Sequence, residues 1–213
     1  RHLVHFIEKA QKKQIPTVVV ALDAEKAFDR VEWGFLREVM TRMGLGTDFL
    51  RMTFANYCQP CFRIAMNGQV PLSFPVTRGT SQGCPLSPLL FALLVEPLAE
   101  MIRQDPDIHG LDFACEQHKI MLYADILLVL TDPVLSLARL PQVLASFYEV
   151  AGFKINTTKS ELMGIAVSEQ IKADLQATVP FRWAASSIHC LGVNITPSVG
   201  ALHQANFPRT LAA

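Results

Sequence analysis

The sequence predicts an α+β domain whose helices pack on one face of a mostly antiparallel sheet. Three observations carry this. Apolar spacing alternates along the chain between a helical period and short β-branched runs. An Asn67-Gly68 pair, the strongest short-range hairpin signal, separates two strand-like runs. The runs Lys119–Tyr123 and Ile126–Leu130 are joined only through Ala124-Asp125, which leaves room for a tight turn and none for a crossover helix.

Leu3, Phe6, Ile7 and Ala10 recur at helical spacing, and Ile15-Pro16 closes that first helix. Thr17 to Leu22 reads as a short buried strand that ends on Asp23. Trp33, Leu36, Val39, Met40 and Met43 share a helical face, with Gly44 as its stop. Thr47 is expected to cap a second helix carrying Phe49, Leu50 and Phe54. Cys61–Met66 and Val70–Val76 are the hairpin strands around Asn67-Gly68. A glycine-punctuated loop, Arg78 to Pro85, then leads to Ser87 and Pro88 as N-cap and first residue of a helix reaching about Arg103. Leu111–Cys115 joins the two runs above as a further strand. A helix follows over Val134–Ala151, with Leu137, Leu140, Leu144, Phe147 and Val150 inward and Gly152 at its end. Leu162–Val167, Phe181–Trp183 and Ile188–Ile195 are short strands around one helix near Glu169–Ala177.

Composition narrows the function classes. Half of the 213 residues are hydrophobic and 18% are charged, which excludes a disordered or low-complexity chain. Nineteen basic residues balance nineteen acidic ones. That excludes a free-standing basic nucleic-acid module, so positive surface for a nucleic acid must lie partly elsewhere. The longest apolar stretch, Leu86 to Val95, contains Pro88 and falls short of the ~20 residues of a membrane span. The N-terminus is polar, shows no signal-peptide pattern and begins with Arg, so the chain reads as an internal piece of a longer protein. Its five cysteines are odd in number and scattered, as in a reducing compartment. Cys58, Cys61, Cys115 and His118 have a nominal zinc spacing. However, Cys61 and Cys115 fall inside strand-like runs that would pleat neighbouring ligands apart, and ordinary buried thiols are the better reading.

Two carboxylates occupy unusually apolar settings. Asp23 ends Val-Val-Val-Ala-Leu, and Asp125 lies between Met-Leu-Tyr-Ala and Ile-Leu-Leu-Val-Leu. A carboxylate so placed must be hydrogen-bonded, paired or metal-bound. Either alone suits a turn at a strand end. Together, on adjacent strand ends, they suit Mg²⁺, which takes hard oxygen ligands and leaves positions for water and substrate phosphates. A pair of such ions ~3.5–4 Å apart is the clamp of in-line phosphoryl displacement.

Four ordered stretches go further. They are Val18-Val19-Val20-Ala21-Leu22-Asp23-Ala24-Glu25-Lys26-Ala27-Phe28-Asp29; Arg78-Gly79-Thr80-Ser81-Gln82-Gly83-Cys84-Pro85-Leu86-Ser87-Pro88-Leu89-Leu90-Phe91; Leu122-Tyr123-Ala124-Asp125; and Gly152-Phe153-Lys154-Ile155-Asn156 through Lys159-Ser160-Glu161, followed by Leu191-Gly192-Val193-Asn194-Ile195-Thr196. In this order they resemble the reverse transcriptase palm of non-LTR (LINE-type) retrotransposons; a maturase or telomerase palm is a weaker match. The resemblance implies a polymerase palm over residues 1–196 and the start of a thumb or connecting segment over 197–213. Fingers, most of the thumb and the endonuclease of an intact element would lie outside the chain. It implies Mg²⁺, with Mn²⁺ as a substitute, held by Asp23, the Ala24 carbonyl and Asp125. Phe28 would be the aromatic gate under the incoming sugar; alone it reads as an ordinary core phenylalanine. Gln82, Gly83 and Tyr123 would face template base and nucleotide, the glycine allowing close backbone approach. Lys159 would neutralise or protonate the departing pyrophosphate; alone it reads as a surface lysine. Leu191 and Gly192 would grip the primer. The implied partners are an RNA template, a DNA primer and deoxynucleoside triphosphates, with no membrane, and the implied place of action is the nucleus.

The pattern is broken in two places. The family's Tyr-Ala-Asp-Asp is followed by an apolar run, whereas here Ile126 follows Asp125 directly, with matching flanks on both sides. One aspartate is missing, and shortening a hairpin by one residue flips the facing of the strand behind it. Ser81 stands where the family commonly has arginine. The expectation is therefore an RNA-directed DNA polymerase domain with little or no activity. The alternatives are a non-catalytic nucleic-acid-binding remnant and a decayed coding relic.

Overall fold

A computed structural model describes residues 2–63, 65, 67, 72–81, 83–113, 116–122, 125–190 and 192–207. In chain order the elements are α1 (His2–Lys13), β1 (Thr17–Ala24), α2 (Trp33–Arg42), α3 (Thr47–Ala55), β2 (Cys61–Phe62), β3 (Phe74–Pro75), α4 (Ser87–Gln104) and β4 (His109–Phe113). There follow β5 (Glu116–His118), β6 (Ile120–Leu122), β7 (Ile126–Thr131), α5 (Pro133–Ala151), β8 (Ile155–Ile165), α6 (Glu169–Thr178), β9 (Arg182–Trp183), β10 (Ile188–Cys190), β11 (Val193–Ile195) and α7 (Val199–Asn206). They form two compact units. One comprises residues 1–25, 98–146 and 154–213, the other residues 26–97 and 147–153.

The first unit is built on a sheet in the order β5-β4-β7-β1-β8-β9, with β6 also paired to β7. Every pairing is antiparallel except β8 with β9. β1 lies inside the sheet because its β-branched run has no polar face: Val18, Val19 and Val20 are fully buried. Val19 packs with Leu127, Met163 and Ile165, and with Ile7 and Ala10 of α1. The end of α1 is a turn at Gln14 (φ 52°), with Ile15 N–H donating to the Ala10 carbonyl at 2.9 Å. β10 and β11 form a separate hairpin.

The second unit contains α2, α3, the β2–β3 hairpin and a row of aromatic rings. Phe35, Phe147, Phe153, Phe91 and Phe28 follow one another at centroid separations of 5.9, 6.0, 5.7 and 5.4 Å, within the range of favourable edge and tilted packing.

Several local expectations are corrected. Thr47 is the first residue of α3, and Gly46 is the cap, without a side-chain bond. Phe49 is exposed on that helix, as is Met43, which lies past the end of α2. Ser87 opens α4 by donating its hydroxyl to the Ser81 carbonyl at 2.7 Å, which ties down the preceding loop. On α5 the buried stripe runs through Pro133, Ser136, Leu140, Val143, Phe147 and Ala151; Val150 falls at its margin, 64% exposed, and Leu144 is half-buried. β8 begins seven residues earlier than expected. β5 and α7 were unforeseen, because Glu116-Gln117-His118 has no apolar face to signal a strand. Of the expected hairpin around Asn67-Gly68, the described part pairs Cys61 with Pro75 and Phe62 with Phe74. Cys58 and Cys61 are exposed free thiols rather than buried ones. Cys115 lies outside the described residues. Among the described residues no group of three His, Cys, Asp or Glu side chains is placed to hold a metal.

Candidate active site

The β1–β7 ladder runs from Thr17↔Thr131 to Leu22↔Ile126. Asp23 and Asp125 are the next residue on each strand beyond that last pair, so the register brings the two carboxylates to neighbouring strand ends. Val19 and Leu127 belong to one core cluster, with Ala21 packed against it. The alternation of a strand therefore assigns Asp23 and Asp125 to that same face. Asp23 is exposed. β6 and β7 pair through Leu122↔Ile126, so residues 123–125 make a three-residue connection. Tyr123 and Ala124 within it lie outside the described residues.

β8 supplies the third side. Its register against β1 shifts between Ala21↔Glu161 and Asp23↔Asn156, which leaves residues 157–160 as an excursion opposite the site. Polar bonds hold it in shape. Ser160 Oγ accepts the Asp23 N–H at 3.0 Å and donates to the Asn156 carbonyl at 2.8 Å. Asn156 Oδ1 accepts from Thr158 Oγ1 at 2.8 Å and from the Lys159 N–H at 3.2 Å. Exposed Lys159 is thus mounted on the strand beside Asp23. Ala24 pairs with Ile155, and the Glu25 N–H donates to the Lys154 carbonyl at 2.9 Å, which fixes the exit of β1.

The β10–β11 hairpin turns at Gly192 (φ 75°), between Cys190 and its partner Val193; Leu191 lies outside the described residues. Cys190, which sequence reasoning passed over, is 4% exposed. Its Sγ lies 3.5 Å from Asp125 Oδ2 as donor. Burial, and then the Asp125 charge, push this thiol up to about 12. The available signal was alternation, since Ile188 and Cys190 share the inward face of a strand next to Leu191-Gly192.

In the second unit, Phe28 and Gly83 come together with Cys84, Ser87 and Pro88 around a cavity of about 510 Å³. The Phe28 carbonyl accepts the Thr80 N–H at 2.8 Å, and the Gly79 N–H donates to Val31 at 2.8 Å. A Cβ at Gly79 would sit 3.0 Å from the Asp29 carbonyl oxygen, at φ +92°. At Gly83 nothing lies within 4 Å of such a Cβ, so its requirement is the positive φ of 83° and not, within this chain, close approach. Gln82 lies outside the described residues. The Cys84 thiol is held below its usual range by N–H donation from Leu86 and by bonds to Ser87 at the start of α4.

Asp23 and Asp125 put two carboxylates on neighbouring strand ends, oxygen donors of the hard kind that divalent magnesium or manganese takes. Two carboxylates suffice where substrate phosphates complete the shell, so the residues present fit a divalent ion, one carboxylate short of the family pattern.

Residues 1–195 match the family described as reverse transcriptase (RNA-dependent DNA polymerase). The chain belongs to the reverse transcriptase family. It is 26% identical over 200 residues to the transposon TX1 uncharacterized 149 kDa protein of Xenopus laevis, covering 92% of this chain and 15% of that protein. It is 28% identical over 165 residues to a retrovirus-related Pol polyprotein from the type-1 retrotransposable element R2 of Popillia japonica, covering 76% of this chain and 23% of the relative. Together these make it a reverse transcriptase domain of the non-LTR retrotransposon type, spanning under a third of each relative's length. Apo telomerase from Candida tropicalis, truncated from the C-terminal domain, shares the fold at a TM-score of 0.58 and 12% identity, over 92% of this chain and 37% of that one. Reverse transcriptases as a family work with divalent metal ions. No described helix is long and apolar enough to cross a membrane.

Proposed function

We propose that the face carrying Asp23, Asp125 and Lys159 is the nucleotidyl-transfer site of an RNA-directed DNA polymerase, severely impaired by the loss of one aspartate. The observation that carries this is the register that sets Asp23 and Asp125 on neighbouring strand ends, with Lys159 on the excursion beside Asp23. The reaction is attack of a primer 3′-hydroxyl on the α-phosphate of a deoxynucleoside triphosphate, directed by an RNA template. Asp23, the Ala24 carbonyl and Asp125 would hold Mg²⁺ or Mn²⁺. Bound there, the ion's contribution is to neutralise charge on the phosphoryl oxygens. Lys159 places a cation, or a proton, on the departing pyrophosphate. The edge of Phe28 excludes a ribose 2′-hydroxyl; Gln82, Gly83 and Tyr123 face template base and nucleotide; Leu191 and Gly192 hold the primer end. Residues 1–196 constitute the palm, and 197–213, which contain α7, lead toward the thumb. The natural element acts in the nucleus, with fingers, thumb and endonuclease segments supplied from outside these residues.

A second reading is favoured by the shortened 123–125 connection: a palm that still cradles nucleic acid without catalysing. Primer extension on an RNA template with Mg²⁺ or Mn²⁺ separates the two. We expect no incorporation by the chain as it stands, and activity from a variant with one aspartate inserted between Asp125 and Ile126, lost again on Asp23→Asn. Incorporation by the unaltered chain would overturn the impairment. Silence of both, with a retained nucleic-acid complex, would favour the binding remnant.

A further inference from the structure

We propose that Cys190 is a positioning residue for Asp125: its buried thiol fastens the carboxylate to the β10–β11 hairpin and so sets the direction in which Asp125 meets a cation. This rests on the two-aspartate reading above. The geometry is local to the first unit. Asp125 is the last residue of the three-residue connection and immediately precedes β7, and its carboxylate reaches Cys190 Sγ at 3.5 Å. Cys190 itself cannot drift. It ends β10, pairs with Val193, and sits in the cluster of Ile7, Val19, Leu127, Met163 and Ile195. β11 is anchored in turn to α7, where the Asn194 N–H donates to Asn206 Oδ1 at 2.7 Å and Asn206 Nδ2 donates to the Asn194 carbonyl at 2.8 Å.

A thiol is a weak donor; this one is itself buried and reaches the carboxylate of an exposed residue. The contact also links two parts of the site, since the hairpin that carries Gly192 at its turn orients the carboxylate at the end of β7. Groups that hydrogen-bond a metal-ligating side chain from behind typically change metal affinity by 10–100-fold when removed. The cavity of about 590 Å³ that Asp125 and Cys190 line with Leu3, Val4, Met121 and Leu202 gives water a route to the pair and leaves room for substitution.

The test uses the full chain and two readouts. The infrared S–H stretch of Cys190, isolated as the difference between the unaltered protein and Cys190→Ser, should lie on the hydrogen-bonded side and move to higher frequency in Asp125→Ala. Mn²⁺ titration followed by electron paramagnetic resonance should show roughly tenfold weaker binding in Cys190→Val, which keeps an apolar side chain but has no donor. Cys190→Ser, which restores a donor, should bind within about twofold of the unaltered chain. An S–H band indifferent to Asp125→Ala, or Mn²⁺ binding unchanged in Cys190→Val, would overturn the positioning role alone. Absence of saturable Mn²⁺ binding sensitive to Asp23→Asn in the unaltered protein would overturn the two-aspartate reading and this role with it.

Discussion

The backbone N–H of Asp23 is held by the side chain of Ser160, 3.0 Å away on the neighbouring strand, and Ser160 is completely buried. The register between β1 and β8 shifts at this point, from Ala21↔Glu161 to Asp23↔Asn156, and the serine hydroxyl takes the N–H. Ser160→Ala removes the acceptor and leaves the amide without its partner. The expected cost is about 1–2 kcal/mol of unfolding free energy, read as a shift of the denaturant midpoint at unchanged slope. Ser160→Thr, which keeps the hydroxyl, should recover part of it.

The elements that position the site were legible where one local rule decided them. The Val18–Leu22 run could only be a buried strand, the helices α1, α2 and α5 were marked by apolar spacing and by glycine or proline at their ends, and α4 by Ser87-Pro88 at its start. The adjacency of Asp23 and Asp125 followed from two strand ends flanked by apolar runs. Long-range register was not legible. The residue 157–160 excursion looked like a break before a strand because Asn156, Thr157, Thr158 and Lys159 have no apolar alternation, yet their polarity is what builds the bonded excursion. The Cys190–Asp125 contact joins residues 65 apart, which no spacing rule reaches.

Asp105 predicts an acid-side loss of stability. It is buried and accepts from Arg139 Nε at 2.9 Å and from the Asp107 N–H at 3.0 Å. Burial pushes its carboxyl up, but these bonds and the Arg139 and Lys119 charges outweigh it and hold the carboxyl below the ordinary range. The folded value is thus the lower one. The stabilisation is complete above the unfolded value of about 3.9 and is lost as pH falls through the folded value. Unfolding free energy measured between pH 6 and 2, as on the order of a four-unit window, should fall less steeply in Asp105→Asn than in the unaltered chain. The variant should itself be less stable by about 1–2 kcal/mol at neutral pH, a buried carboxylate's bond reduced by the partial exposure of Arg139.

Two glycines should respond with opposite signs. Gly79 has φ +92° and would bring a Cβ to 3.0 Å from the Asp29 carbonyl, whereas Gly34 lies in α2 with nothing within 4 Å of the added atom. Gly79→Ala is expected to destabilise by about 1–3 kcal/mol, and Gly34→Ala to stabilise by about 0.5 kcal/mol. Thermal unfolding of the two variants beside the unaltered chain measures both.

Equal numbers of basic and acidic residues predict a weak electrostatic grip on nucleic acid. Affinity for an RNA–DNA hybrid should fall with salt, but with a log–log slope of only about −2 to −3, corresponding to two or three neutralised phosphates. Fluorescence anisotropy across a salt series reads the slope directly. A value of roughly −6 or steeper would mean that this unit grips the duplex without outside help.

Phe28 carries the prediction about sugar choice. Its ring is half-buried, touches Phe91 at 5.4 Å, and lines the cavity shared with Gly83 and Cys84. If its edge closes the space a 2′-hydroxyl would need, then Phe28→Val in the variant carrying the inserted aspartate should admit ribonucleotides. The expected loss of discrimination is roughly tenfold or more, the scale on which a pocket's shape distinguishes substrates. Competing deoxy- and ribonucleotide incorporation measures it as a ratio of kcat/KM values. The variant also loses a ring contact worth about 0.5–1.5 kcal/mol, so its unfolding curve is needed beside the kinetics. A protein that unfolds more easily but keeps the original sugar preference would identify Phe28 as a packing residue and remove it from the nucleotide site.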